Sequence, residues 1–100
     1  MYDLHKNSLG FEWDRLKDRR NRRKHGVSFE EAATVFQDKH AGNYFDPDHS
    51  QNEDRYLILG MSEKARILVV SHCYRMNGSF IRIISARKAT SLEAIEYDQD

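Results

Sequence analysis

RILVVSHCYRMNGSFIRIIS, residues 66–85, carries the pattern on which the fold turns. Ile67-Leu68-Val69-Val70 is apolar at successive positions and so on both faces, which predicts a central strand. Asn77-Gly78 suits the positive φ of a tight turn and predicts a hairpin. Ser79 to Ser85 then forms the last strand, with one charge, Arg82, set between Ile81 and Ile83. Upstream, Arg55 to Met61 is rich in Tyr, Leu and Ile and predicts a further strand, and Ala41 to Phe45 a short one. The polar run Asp46 to Asn52 between them reads as a loop.

Helices come first and last. Phe11-Glu12-Trp13 is a short strand-like opening. Asp14 follows as the N-cap of a helix reaching about His25, and Gly26 takes the C′ position. Leu16 is the one strong apolar residue of that helix, so its seating is expected to rest on Leu16, Trp13 and the alkyl stems of Arg and Lys. Ser28-Phe29-Glu30-Glu31 is a capping box, opening a second helix to about Gln37 with Phe29, Ala32, Ala33 and Phe36 on one face and Val35 widening it. Thr90-Ser91-Leu92-Glu93 opens a terminal helix in the same way. The order β-α-α-β-β-β-β-α predicts an α+β fold. Its two N-terminal helices pack on a mostly antiparallel, four- to five-stranded sheet, and a short helix closes the chain. Residues 11–98 are expected to form a single domain behind an N-terminal extension, residues 1–10, of no assigned role.

The 100 residues are 39% hydrophobic, enough for one modest core. No apolar run approaches membrane-spanning length, and Met1 to Gly10 lacks the apolar region of a secretory signal. A lone cysteine, Cys73, excludes an internal disulfide, and a cytoplasmic location is expected. Net charge is zero but segregated. Through Gly26 there are eight Lys/Arg against four Asp/Glu; from Val27 to Asp54, one against seven; from Arg55 onward, seven against five. Arg15, Lys17, Arg19, Arg20, Arg22, Arg23 and Lys24 crowd one helix, where like charges at i, i+4 repel. Such a concentration points to an anionic partner, RNA or an acidic protein, with a merely solvated face as the alternative.

Several fragments occur together: Phe11-Glu12-Trp13-Asp14; Lys24-His25-Gly26-Val27-Ser28-Phe29-Glu30-Glu31-Ala32; His49-Ser50-x-x-Glu53-x-Arg55; Gly60-x-Ser62; and Arg82-Ile83-Ile84-Ser85-Ala86-Arg87. From about Phe11 to Glu93 the chain resembles the BrnT family, toxins of bacterial type II toxin–antitoxin pairs. It departs from the family's common pattern at two turns, with Asp38-Lys39 for Asp-Pro and Ala65-Arg66 for Gly-Arg. The resemblance implies a RelE-like fold and RNA cleavage without metal or other cofactor. It also implies a BrnA-like antitoxin with a ribbon-helix-helix domain, two toxins on an antitoxin dimer, promoter DNA bound only through the antitoxin, and no membrane partner.

Such cleavage needs a base for the 2′-hydroxyl, cations for the pentacoordinate phosphate and an acid for the leaving 5′-oxygen. Arg grips phosphate bidentately. Lys24, His25, Glu53, Arg66 and Arg82 are the expected catalytic residues, and Arg19, Arg20, Arg23, Arg55 and Arg87 the expected RNA-binding ones. Each has a structural alternative. Arg82 could pair with a carboxylate such as Glu53, His25 could cap its helix, and Lys24 and Glu53 could be solvated surface charges. Asp46, Asp48, Ser50 and Asn52 imitate an EF-hand loop, but Gln51 stands where glycine is needed and Leu57 where glutamate is, so calcium is rejected. A divalent site from Asp46, Asp48, His49, Glu53 and Asp54 lacks regular spacing. His72 and Cys73, as strand neighbours, face opposite ways and cannot form a nucleophile pair. Trp13 and Tyr44 could stack on a base or be buried.

Overall fold

The computed structural model describes residues 4–98; residues 1–3 of the expected extension lie outside it. Six strands form one sheet: β1 (Leu4–Lys6), β2 (Phe11–Asp14), β3 (Gly42–Phe45), β4 (Tyr56–Met61), β5 (Ile67–Arg75) and β6 (Phe80–Lys88). Their order is β1-β2-β6-β5-β4-β3. Helix α1 spans Arg15–His25, α2 Phe29–Thr34 and α3 Ser91–Asp98. Among the described residues, no helix is long and apolar enough to cross a membrane.

The class is α+β, but the expected architecture is corrected. The sheet has six strands rather than four or five, and it is mixed, because β2 runs parallel to β6 with Phe11 opposite Ile81 and Glu12 opposite Arg82. The sixth strand, β1, has a single strongly apolar residue and no readable period. A turn forms it: the Asn7 carboxamide accepts from the Leu9 (2.9 Å) and Phe11 (3.3 Å) N–H groups. Gly10 supplies φ 88° there, and a Cβ on it would meet the Ser79 carbonyl at 3.2 Å. The second helix also stops early, passing at Val35–Gln37 into a 3-10 turn.

Helix α1 does not pack on the sheet by an apolar face. Leu16 is 43% exposed, and Asn21 is the helix's buried residue. Asp18, Asn21 and His25, three and four apart, form the inward stripe, while the seven cations face outward. β2 pairs β6 only at Ile81 and Arg82, which leaves the edge of β6 beyond them open. Asn21 closes it. Its Nδ2 donates to the Ala86 and Val27 carbonyls, both at 2.8 Å, and its Oδ1 accepts from the Ala86 N–H at 3.1 Å. One carboxamide thus stands in for a neighbouring strand. Asp18 accepts from the Phe29 N–H at 2.9 Å, tying α1 to the start of α2.

The core lies between α2 and one sheet face, with Phe29, Ala32 and Val35 against Phe11, Trp13, Ile58, Leu68, Val70, Ile83 and Ala86. His72 ends this core, boxed by the rings of Phe36, Tyr56 and Tyr74. Burial pushes its imidazole below the usual value and so favours the neutral ring. Glu31 leaves its capping box half made. Ser28 Oγ accepts from the Glu31 N–H at 3.0 Å, but the carboxylate turns inward to Ser62 and Arg66. Helix α3 lies against β4 and buries none of its residues. It is held by a bidentate Arg87–Glu93 pair (2.7 and 2.9 Å) and by the Tyr97 hydroxyl donating to Asp38 at 2.6 Å.

Three expectations follow from these contacts. Asn21→Ala strands two backbone groups at the β6 edge and the Val27 carbonyl and should cost about 2–4 kcal/mol in a denaturant melt, whereas Leu16→Ala should cost under about 1 kcal/mol. Ala65 carries φ 59° in the turn before β5, so Ala65→Gly should raise stability by up to about 1 kcal/mol, the relief of left-handed strain less the added unfolded-state entropy. The Arg87 guanidinium draws the Glu93 carboxyl down from 4.5 to about 2. A depressed carboxyl stabilises above its unfolded value, and that stability is lost as pH falls through the folded value. Amide exchange in residues 91–98 should therefore accelerate between pH 4.5 and 2, and Arg87→Ala should abolish this acid transition.

Candidate functional site

Two buried carboxylates organise the arginines. Glu12, 2% exposed, sits in β2 between the core residues Phe11 and Trp13 and so points to the opposite face. There it meets Arg82, whose Nε donates to Glu12 Oε2 at 2.7 Å and whose Nη2 donates to the same oxygen. The ion pair weighed for Arg82 thus exists, with Glu12 rather than Glu53 as its partner. Glu31 binds Arg66 through Nε (2.9 Å) and Nη2, and Arg66 Nη2 also donates to the Gly26 carbonyl at 3.0 Å. The Arg66 hydrogen bonds, opposed by burial, draw the Glu31 carboxyl down from its usual value. Arg66 therefore clasps the end of α1 to α2.

The expected catalytic residues divide accordingly. Lys24 and His25 end α1 beside the Arg66 clasp, and Lys24 is exposed. Arg82, Arg55 and Glu53 come together at the other end of α1, lining a cavity of about 130 Å³ with Lys17 and Asp14. The helix start therefore faces Arg82 and its end faces Arg66, about 16 Å apart along eleven residues at 1.5 Å each. Arg19, Arg20 and Arg23 lie exposed along the length between. Arg87 shares the sheet face of Arg82 but is engaged by Glu93.

That shared face depends on a β-bulge. Ser71 pairs Ser85 while His72 pairs Ile83, so the ladder skips Ile84. Arg82 lies opposite Cys73 and Arg87 opposite Val69, which puts both arginines on one face although they are five residues apart. Cys73 is 1% exposed beneath Arg82. Burial pushes its thiol up, which suits a packed residue rather than a nucleophile.

Glu53 holds Arg75 (3.4 Å) and Arg55 (3.8 Å). The loop ahead of β4 fixes this group. Ser50 Oγ donates to the Asp46 carbonyl at 2.5 Å and accepts from the Arg55 N–H at 2.9 Å, and the Asp46 N–H donates to the Arg55 carbonyl at 2.9 Å. Arg55 Nε is buried without a hydrogen-bond acceptor. Asp46, Asp48, His49, Glu53 and Asp54 form no metal-holding cluster among the described residues. Trp13 is 5% exposed, with His5 stacked on it at 4.4 Å, whereas Tyr44 is 48% exposed.

Sequence reasoning passed over Asn21, Glu12 and Lys17. Signals existed for the first two. Asn21 falls on the stripe of α1 that carries no cation, and Glu12 is a lone charge in an apolar strand, as Arg82 is. For Lys17, nothing in the sequence sets it apart from the other cations of the helix.

A family model described as the ribonuclease toxin BrnT of type II toxin–antitoxin systems matches residues 13–93. No curated protein sequence matches significantly. Among solved structures, that of the Brucella abortus ribonuclease toxin BrnT is similar, with a TM-score of 0.59 and 22% sequence identity over 79% of this chain and 94% of that chain. That likeness establishes a shared fold. With the family model covering most of the chain, this protein belongs to the BrnT family of type II toxin–antitoxin ribonuclease toxins.

Proposed function

We propose that this chain is a metal-independent endoribonuclease that inhibits translation and growth in the bacterial cytoplasm and is neutralised by a cognate DNA-binding antitoxin. Family membership supports the ribonuclease and antitoxin parts. The observation that carries the chemistry is the convergence of Glu53, Arg55 and Arg82 with Lys17 on one cavity. Three cations around a phosphate-sized space can stabilise the added charge of a pentacoordinate phosphate without a metal. Arg55 suits this task, because its Nε makes no hydrogen bond and faces only the Glu53 carboxylate at 3.8 Å. In this reading Glu53, 37% exposed on its side chain, takes the 2′-hydroxyl proton.

In this reading Arg82 has two duties, neutralising Glu12 and facing the phosphate. Arg19, Arg20, Arg23 and Lys24 draw the RNA backbone along α1, with His25 and Arg66 at its far end. Arg87 joins the RNA face where Glu93 yields it. The antitoxin, BrnA-like and carrying a ribbon-helix-helix domain, covers the basic surface, two toxins to an antitoxin dimer, and reaches promoter DNA on the toxin's behalf.

Arg82→Ala is a poor test by itself, because it leaves the buried Glu12 with only Lys6, at 3.9 Å, and costs up to about 3–5 kcal/mol. Glu53→Gln and Arg55→Ala are better. Purified protein should cleave RNA in EDTA. Each variant should melt within a few degrees of the parent and lose about 100-fold or more in cleavage rate. Cleavage that EDTA abolishes, or that both variants retain in full, would refute the proposal.

A further inference from the structure

An aspartate–histidine pair stands on the loop between β3 and β4. The loop includes a short 3-10 turn, Pro47–His49. His49 Nδ1 lies 2.9 Å from Asp46 Oδ2. A carboxylate oxygen only accepts, so Nδ1 must carry a proton, and Nε2 is the ring nitrogen left for a ligand. Asp46 is itself held: its side chain is 12% exposed, its N–H and carbonyl are both bonded within the loop, and the ring it supports is 67% exposed. An exposed imidazole oriented by a half-buried, hydrogen-bonded carboxylate suits chemistry more than packing.

His49 also opens onto the right place. With Gln51, Asn52, Glu53 and Arg55 it lines a cavity of about 330 Å³. Glu53 and Arg55 are the residues this cavity shares with the Lys17 and Arg82 cavity. The two spaces adjoin at the Glu53–Arg55 pair, which lines both, with His49 in one and Arg82 in the other.

We infer that His49 is the general acid of RNA cleavage, oriented by Asp46, a positioning residue. This rests on the ribonuclease reading above. Glu53 takes the 2′-hydroxyl proton, and the 2′-oxygen forms a bond to phosphorus. The bond from phosphorus to the 5′-oxygen breaks, and that oxygen receives the Nε2 proton of the doubly protonated His49 ring, whose Nδ1–H stays hydrogen-bonded to Asp46. The products are a 2′,3′-cyclic phosphate and a free 5′-hydroxyl. One proton is taken up and one given, so no co-reactant is needed.

The test uses the leaving group. The cut site of the parent enzyme is mapped on an RNA oligonucleotide, and a second oligonucleotide is made with sulfur bridging at that 5′-position. A thiolate leaves without being protonated, so it makes a general acid dispensable. His49→Ala should cut the oxygen substrate about 100-fold more slowly than the parent and the sulfur substrate at nearly the parental rate. Asp46→Asn should show a smaller loss with the same rescue. A variant that cuts both substrates at the parental rate, or is equally slow on both, overturns the role of His49 while the ribonuclease reading stands. A parent enzyme that cuts neither defeats both.

Discussion

The carboxamide of Asn21 on the open edge of β6 is the contact from which the arrangement of charge follows. Helix α1 has seven cations in eleven residues and its one strong apolar side chain is exposed, so hydrophobic burial cannot seat it. Three hydrogen bonds to main-chain groups at Ala86 and Val27 do so instead. They satisfy a strand edge that would otherwise be buried without partners. They also set the helix lengthwise, its first turn beside Arg82 and its last against Arg66.

The two buried ion pairs divide labour along this helix. Glu31 and Arg66 serve packing: the carboxylate gives up half of a capping box to fasten α2, Ser62 and the end of α1 around one guanidinium. Glu12 and Arg82 serve the other end, where Arg82 lines a cavity shared with Lys17, Glu53 and Arg55. Buried pairs of this kind contribute little net stability but cost several kcal/mol, about 3–5, when one partner is lost. They therefore fix positions more than they strengthen the fold. Helix α3, with no buried side chain, depends on Arg87 and Tyr97 for its place.

Local chemistry was readable in the sequence because it acts over a few residues. Asp14 caps α1 through the Leu16 N–H at 2.8 Å, and Gly26 ends it at φ 70°. Thr90 and Glu93 form their capping box, and the run Ile67 to Val70 occupies the interior strand β5. The family was readable too, since its motifs are contiguous stretches. What only the tertiary structure decided involves pairing across distance. The parallel β2–β6 contact joins residues seventy apart. The bulge at Ile84 reverses the face that simple alternation assigns to Arg87 relative to Arg82. The choice of Glu12 over Glu53 as the partner of Arg82 depends on both strand order and register. A period of two or 3.6 states which residues share a face within one element. It holds no information about which element lies beside another, and in this protein that adjacency decides which charges pair with each other and which line the cavity at Arg82.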